Sequence, residues 1–178
     1  MRRTVGVLPL FIPLIFLLIS CASKPSVVLP PEWGYEKGAI QLRLKADPQL
    51  NLYSGSPHTL LLCIYHLRDP NAFNQLADEK DGIPKLLECG RFDPSVTYVK
   101  RVVVQPGQEV RESMDRAEGA KYVGIAAGYY QLQKERAVRF FQIPVVQEKK
   151  GSTLVSKPSV LTIDLLLGAQ EMSEIRGK

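Results

Sequence analysis

From Ile40 to Ala46 apolar and polar side chains alternate without a break, in the order Ile-Gln-Leu-Arg-Leu-Lys-Ala. Successive side chains of a strand point to opposite faces, so this period of two predicts a half-buried strand with Ile40, Leu42, Leu44 and Ala46 inward. A helix would scatter the same residues around its circumference. Thr59 to Leu67 is a nearly continuous apolar run whose length suits a strand buried on both faces. Tyr98 to Gln105 and Gln108 to Met114 read as two further strands around a tight Pro106-Gly107 turn. Tyr122 to Tyr130 is small and apolar, the composition of a central strand that a neighbour packs against closely. Gln131 to Glu135 reads as a polar turn, Ala137 to Val145 as a strand, Gly151 to Pro158 as a loop, and Leu161 to Leu167 as the last strand.

One segment breaks the pattern. Asp69 is placed to cap a helix, Pro70 suits its first turn, and Ala72, Phe73, Leu76 and Ala77 share one face. Pro84 to Glu88 adds a further turn. The sum is a mainly β chain: an antiparallel β-sandwich of about seven to eight strands with one short inserted helix.

The N-terminus carries an address. Arg2 and Arg3 precede a stretch from Thr4 to Ser20 without any charge, ending Leu18-Ile19-Ser20-Cys21. Pro9 and Pro13 interrupt the apolar run, which is shorter than the roughly 20 residues a spanning helix needs. The layout is that of a secretory signal peptide. A small residue directly before Cys21 makes Leu18, Ile19 and Ser20 the recognition site of a lipoprotein signal peptidase, with Cys21 as the lipidated residue. Residues 1–20 are then the signal peptide and 21–38 a lipid-bearing tether, in which Pro25, Pro30 and Pro31 oppose regular structure. The β-sandwich is expected over 39–170 and a tail over 171–178. The residues after Cys21 begin Ala22-Ser23 and include no Asp, which by the enteric sorting rule places the protein in the inner leaflet of the outer membrane, its domain in the periplasm.

Removing residues 1–20 takes Arg2 and Arg3 from a formal charge of +5 and leaves +3 on 158 residues. That is one domain, long enough to bury its own core. No block of like charge or basic–aromatic interleaving points to nucleic acid. The two histidines and the cysteines lack zinc spacing, so neither metal nor cofactor is expected. No nucleophile elbow, phosphate loop or metalloprotease motif appears, so the chain is not read as an enzyme. His58 falls in a loop. His66 ends a buried run and reads as a structural histidine with its hydrogen bonds met. Cys63 and Cys89, 26 residues apart, either pair in an oxidising compartment or stay as buried thiols; pairing would stabilise by about 3 kcal/mol.

The loop from Asp47 to His58 holds Leu50, Leu52 and Tyr53, apolar for a loop. Such residues either fold back on the core or form an exposed contact.

The order of these elements resembles the TssJ family, the outer-membrane lipoproteins of type VI secretion systems, over roughly residues 39 to 168. Five places carry the resemblance: Leu50-Asn51 after the first strand; Cys63-Ile64-Tyr65-His66-Leu67 in the second; Ala72-Phe73 in the helix; Gln105-Pro106-Gly107-Gln108 at the turn; and Lys121 to Tyr129, followed by Lys134, Arg136 and Arg139. Ala137-Val138-Arg139 stands where the family often has a Trp-Arg pair, and the Cys63/Cys89 pair is not a general family feature. The resemblance implies a transthyretin-like sandwich and a scaffolding role that anchors the periplasmic C-terminal domain of the inner-membrane protein TssM. It also implies that Leu50, Asn51, Leu52, Tyr53 and His58 form the partner-binding loop. A ligand-carrying lipoprotein with a hollow sandwich and an assembly pilot are the alternatives the same leader would fit.

Overall fold

The computed structural model describes residues 28–151 and 153–175. The signal peptide, its recognition residues Leu18, Ile19 and Ser20, and the lipidation residue Cys21 lie outside the described residues. In chain order the elements are β1 (Val28–Leu29), β2 (Glu36–Ala46), β3 (Leu60–Leu67), α1 (Asn71–Asp78), α2 (Gly82–Leu86), β4 (Val96–Val104), β5 (Glu109–Arg116), β6 (Tyr122–Ala127), the single turn α3 (Lys134–Ala137), β7 (Val138–Gln142), β8 (Val145–Lys150), β9 (Thr153–Pro158), β10 (Leu161–Leu167) and β11 (Met172–Glu174). Two four-stranded sheets, β11-β10-β2-β5 and β4-β3-β6-β7, form the sandwich, and β1-β9-β8 form a third, smaller sheet.

The alternating segment behaves as its pattern demands. Ile40, Leu42, Leu44 and Ala46 are buried and enter the core between the two sheets, while Arg43 and Lys45 face out. β3 is buried on both sides for two different reasons. Leu60, Leu62 and Ile64 face the opposing sheet. Cys63, Tyr65 and Leu67 face a second apolar layer that contains Phe73 and Ala77 of α1 and Ile83 and Leu86 of α2. Helix α1 starts one residue later than expected, with Pro70 rather than Asp69 at the N-cap, though Asp69 Oδ1 still accepts the Asn71 N–H at 2.8 Å, one of the donors a helix start leaves open.

Gly124 in β6 shows how closely the helical layer is set. A Cβ there would lie 2.6 Å from Phe73 Cζ, so only glycine lets the ring reach the sheet. In the register, Gly124 stands between Tyr65 of β3 and Phe140 of β7, which flank the Phe73 ring. The Pro106-Gly107 turn is also present, with Gly107 at φ +71° and the Gln108 N–H donating to Gln105 O.

Several expectations need correction. The sandwich is not purely antiparallel: β10 inserts beside β2 and runs parallel to it, Leu161 opposite Ile40 through Leu167 opposite Ala46. Among the described residues the sandwich has eight strands, as expected, but a third sheet adds three more and the helices number three rather than one. Residues 28–38, read as tether, belong to the fold. Val28 and Leu29 pair with β9, Trp33 packs on the core, and Arg116 donates to Gly34 O at 3.0 Å. The prolines there shape an extended approach rather than prevent one. Thr153–Pro158, read as loop, is β9, a hairpin partner of β8 across Gly151 at φ +62°. The expected strand from Ala137 to Val145 is divided, because Ile143 turns into the core and Pro144 has no N–H to continue a ladder. Met172, assigned to the tail, is buried and lies in β11.

Candidate functional site

Four connections gather at the end of the sandwich where β2 and β10 finish: the loop after β2, the β4–β5 turn, the segment after β6, and the β10–β11 turn. Backbone bonds tie them together. The Asn51 and Leu52 N–H groups donate to Gly168 O and Ala169 O at 3.3 and 2.8 Å, and Gly107 N–H donates to Asp47 O at 3.1 Å.

The loop after β2 divides into a buried half and a displayed half. Asp47 Oδ1 accepts the Gln49 N–H at 2.7 Å, which bends the chain and drops Leu50 into the core. Asn51 follows at φ +48°, a conformation asparagine tolerates better than most residues. Its side chain bridges two elements: Nδ2 donates to Thr59 O at 3.0 Å, and Oδ1 accepts the Tyr130 N–H at 3.1 Å. Leu50 and Asn51 are therefore buried and hold the base of the loop, while the later loop residues are displayed. The apolar pattern of the loop contained both outcomes weighed for it, since Leu50 folds back and Tyr53 does not.

The displayed half is a small hairpin of its own. Ser54 and Gly55 both have positive φ, +50° and +79°, and Tyr53 and Ser56 exchange backbone hydrogen bonds at 2.9 and 3.0 Å. This tight turn lifts Tyr53 clear of the body, where its ring has Tyr130 and His58 as aromatic neighbours. The ring stacks on Tyr130, centroids 4.1 Å apart and planes 12° from parallel. His58 meets Tyr130 edge-on at 5.1 Å. Tyr53 and Tyr130 remain 53% and 52% exposed, which is the number that separates a displayed pair from a core pair. Beside them Leu52, Tyr129 and Gln131 line a cleft of about 80 Å³. Small-molecule pockets run to roughly 300–1,000 Å³, so this notch suits a protein side chain.

Sequence reasoning missed Tyr130 and the neighbouring exposed Leu132. A signal was present: the alternation of β6, continued past its end, turns Tyr129 inward and Tyr130 outward. What the sequence could not give was the Asn51 bridge that brings Tyr130 to Tyr53.

Cys63 and Cys89 belong to the helical layer. Cys63, on the helix-facing side of β3, is joined as a disulfide to Cys89 just after α2, with Cα atoms 5.1 Å apart. The bond fastens the helical layer to its sheet. Close by, the Tyr65 hydroxyl donates to Leu86 O, and burial pushes its pKa up to about 12. His66 is fully buried against Tyr98, ring centroids 4.9 Å apart. Its ring nitrogens have no hydrogen-bond partner among the described residues, which corrects the expectation of a satisfied histidine. Burial pushes its pKa down to about 4. Among the described residues, no helix is long and apolar enough to cross a membrane.

Against known families, residues 38–165 match the one described as type VI secretion lipoprotein, VasD, EvfM, TssJ. The chain belongs to this type VI secretion lipoprotein family. Solved structures agree on the fold. The T6SS lipoprotein TssJ1 from Pseudomonas aeruginosa is 20% identical with a TM-score of 0.55, the match covering 84% of this chain and 99% of that one. Serratia marcescens Lip, a membrane-bound component of the type VI secretion system, is 16% identical with a TM-score of 0.56, covering 78% and 98%. A chain from the structure of the T6SS protein TssM C-terminal domain (869–1107) from EAEC is 16% identical with a TM-score of 0.58, again covering 78% and 98%. No curated protein matches the sequence. Family membership accounts for the β-sandwich, and the β-rich lipoprotein expected from the sequence is what the family and the fold both describe.

Proposed function

We propose that this chain is a lipid-anchored structural component of the type VI secretion membrane complex. Residues 1–20 direct export and are removed before Cys21, whose acyl chains hold the protein in the inner leaflet of the outer membrane. Two or more chains give a stable anchor where one gives marginal binding. The folded domain stands in the periplasm and tethers the periplasmic C-terminal domain of a TssM-like inner-membrane protein. It works by holding two membranes together and carries out no catalysis.

The observation that carries the partner assignment is the exposed Tyr53–Tyr130 stack at the loop pole. Large aromatic side chains displayed on a rigid base are the residues that most often dominate an interface. The base here is rigid because Asn51 bonds both neighbouring segments. Leu52 and His58 complete the contact around the pair. Similarity to a chain from the TssM C-terminal domain structure supports the choice of partner. The carrier alternative has less behind it, since the sandwich interior is filled by side chains from both sheets.

Isothermal titration of soluble residues 22–178 with the TssM-like domain of the same bacterium tests the reading. Micromolar or tighter binding is expected, weakened at least a hundredfold by Tyr53→Asp together with Tyr130→Asp. Absence of binding by the unaltered chain, with both proteins folded, would sink it.

A further inference from the structure

The third sheet has no evident place in this scheme. β8 is exposed at every position from Val145 to Lys150, and among the described strands it pairs with β9 alone. The β8–β9 ribbon joins the body where β2 and β10 begin: Pro158 ends it, and Leu161 already lies opposite Ile40. The aromatic stack sits beyond the other end of β2. With eleven residues, β2 separates the two features by about 35 Å. Ribbon and stack are at opposite poles.

The register of β1 gives the ribbon a direction. β1 runs parallel to β9, Val28 opposite Leu154, and Leu154 is opposite Lys149 in turn. Parallel pairing sets Val28, the first described residue, at the end of β1 nearer the turn at Gly151, and Leu29 nearer Pro158. Cys21 stands seven residues before Val28, and seven residues span at most about 25 Å. The end of the ribbon thus lies beside Val28, the described residue nearest in sequence to Cys21. It carries Lys149 and Lys150, both exposed, with Glu148 as the acidic residue of β8. The intervening sequence adds Lys24 and no acid. Val28 and Leu29, in the strand beside it, are 49% and 46% exposed. Basic and apolar groups together suit the boundary of an anionic bilayer, where lysines meet headgroups.

We propose that the tip of the β8–β9 ribbon, through Lys149 and Lys150, rests on the anionic headgroups of the membrane that holds Cys21. The contact aims the Tyr53–Tyr130 pole away from the bilayer. It turns a tethered domain into an oriented one and lowers the freedom lost when the partner binds. The inference rests on the proposed acylation of Cys21.

The test places the acylated mature chain on vesicles of phosphatidylethanolamine and phosphatidylglycerol (3:1) containing a doxyl-lipid quencher. A fluorophore is attached through Thr153→Cys at the ribbon or Gln170→Cys at the opposite pole. Quenching at 153 should exceed that at 170 at least threefold. It should fall to the level at 170 with Lys149→Glu and Lys150→Glu, or on pure phosphatidylcholine. Equal quenching at both poles, or quenching at 153 that charge reversal leaves unchanged, would overturn the proposal while the anchor stands. Loss of all attachment to vesicles would refute the anchor at Cys21, and the oriented contact with it.

Discussion

Gly124→Ala adds a single methyl group where the structure has no room for one. The new Cβ would lie 2.6 and 2.7 Å from Phe73 Cζ and Cε2, against a comfortable carbon–carbon separation of about 3.5–4.0 Å. About 1 Å of movement is required. Phe73 cannot supply it freely: the ring is fully buried, with Tyr65 5.8 Å and Phe140 6.2 Å away by centroid. Overpacking of this kind costs about 1–3 kcal/mol. Removing a strand glycine returns about 0.5–1 kcal/mol through the unfolded chain. Midpoint against midpoint, the net expectation is a destabilisation of about 1 kcal/mol, or roughly 2–4 °C in melting temperature. Urea unfolding of the mature chain with its disulfide intact measures it as a lower midpoint at unchanged slope. Phe73→Leu shortens the obstructing ring, so the double variant should be more stable than the two single losses predict, by about 1 kcal/mol. A neutral or stabilising Gly124→Ala, or strict additivity with Phe73→Leu, would refute the claim that the ring and the sheet are in contact there.

Asn51→Ala should destabilise by about 2–3 kcal/mol in the same assay, since it leaves Thr59 O and the Tyr130 N–H without their partner; an effect below 0.5 kcal/mol would show the bridge to be idle. Reduction of Cys63–Cys89 opens a 26-residue loop and should cost about 3 kcal/mol, seen as a shift in denaturation midpoint absent from a Cys63→Ala, Cys89→Ala control treated with the same reductant. His66 is held at about 4 in the fold against an ordinary value of 6.5, so the unfolded chain takes up a proton first as pH falls. Its effect is absent above pH 6.5, grows between 6.5 and 4, and reaches a loss of up to about 3 kcal/mol; His66→Leu should flatten that part of the stability–pH curve, and an unchanged slope would reject the assignment.

The parts of the fold legible in the sequence were those set by local pattern. The period of two in β2 fixed which residues face the core. The unbroken apolar run of β3 required cover on both faces, and the helix carrying Phe73 supplies it. Small residues in β6 foretold a close neighbour, and Gly124 has one. Long-range choices were not legible. Nothing in Leu161–Leu167 states that it lies parallel to β2 rather than antiparallel, because either pairing buries the same alternate side chains. The β8–β9 ribbon escaped notice because β8 is exposed on both faces and has no alternation to show. At the candidate site, Tyr53 was legible as an apolar residue out of place, whereas Tyr130 depends on a contact across 77 residues of sequence. Leu50 and Tyr53 carry the same loop signal and differ only in where the Asp47 turn and the Asn51 bridge send them.

The central claim is that one molecule holds a membrane and a partner at once. Vesicle flotation tests it most directly, with the acylated mature chain, the soluble TssM-like domain and the two variants. The account predicts that the unaltered protein carries the partner domain up with the vesicles. Tyr53→Asp with Tyr130→Asp should float alone, and Cys21→Ser should leave both proteins at the bottom. Flotation of the partner with the tyrosine variant would contradict the proposed contact, and flotation of Cys21→Ser would contradict the proposed anchor.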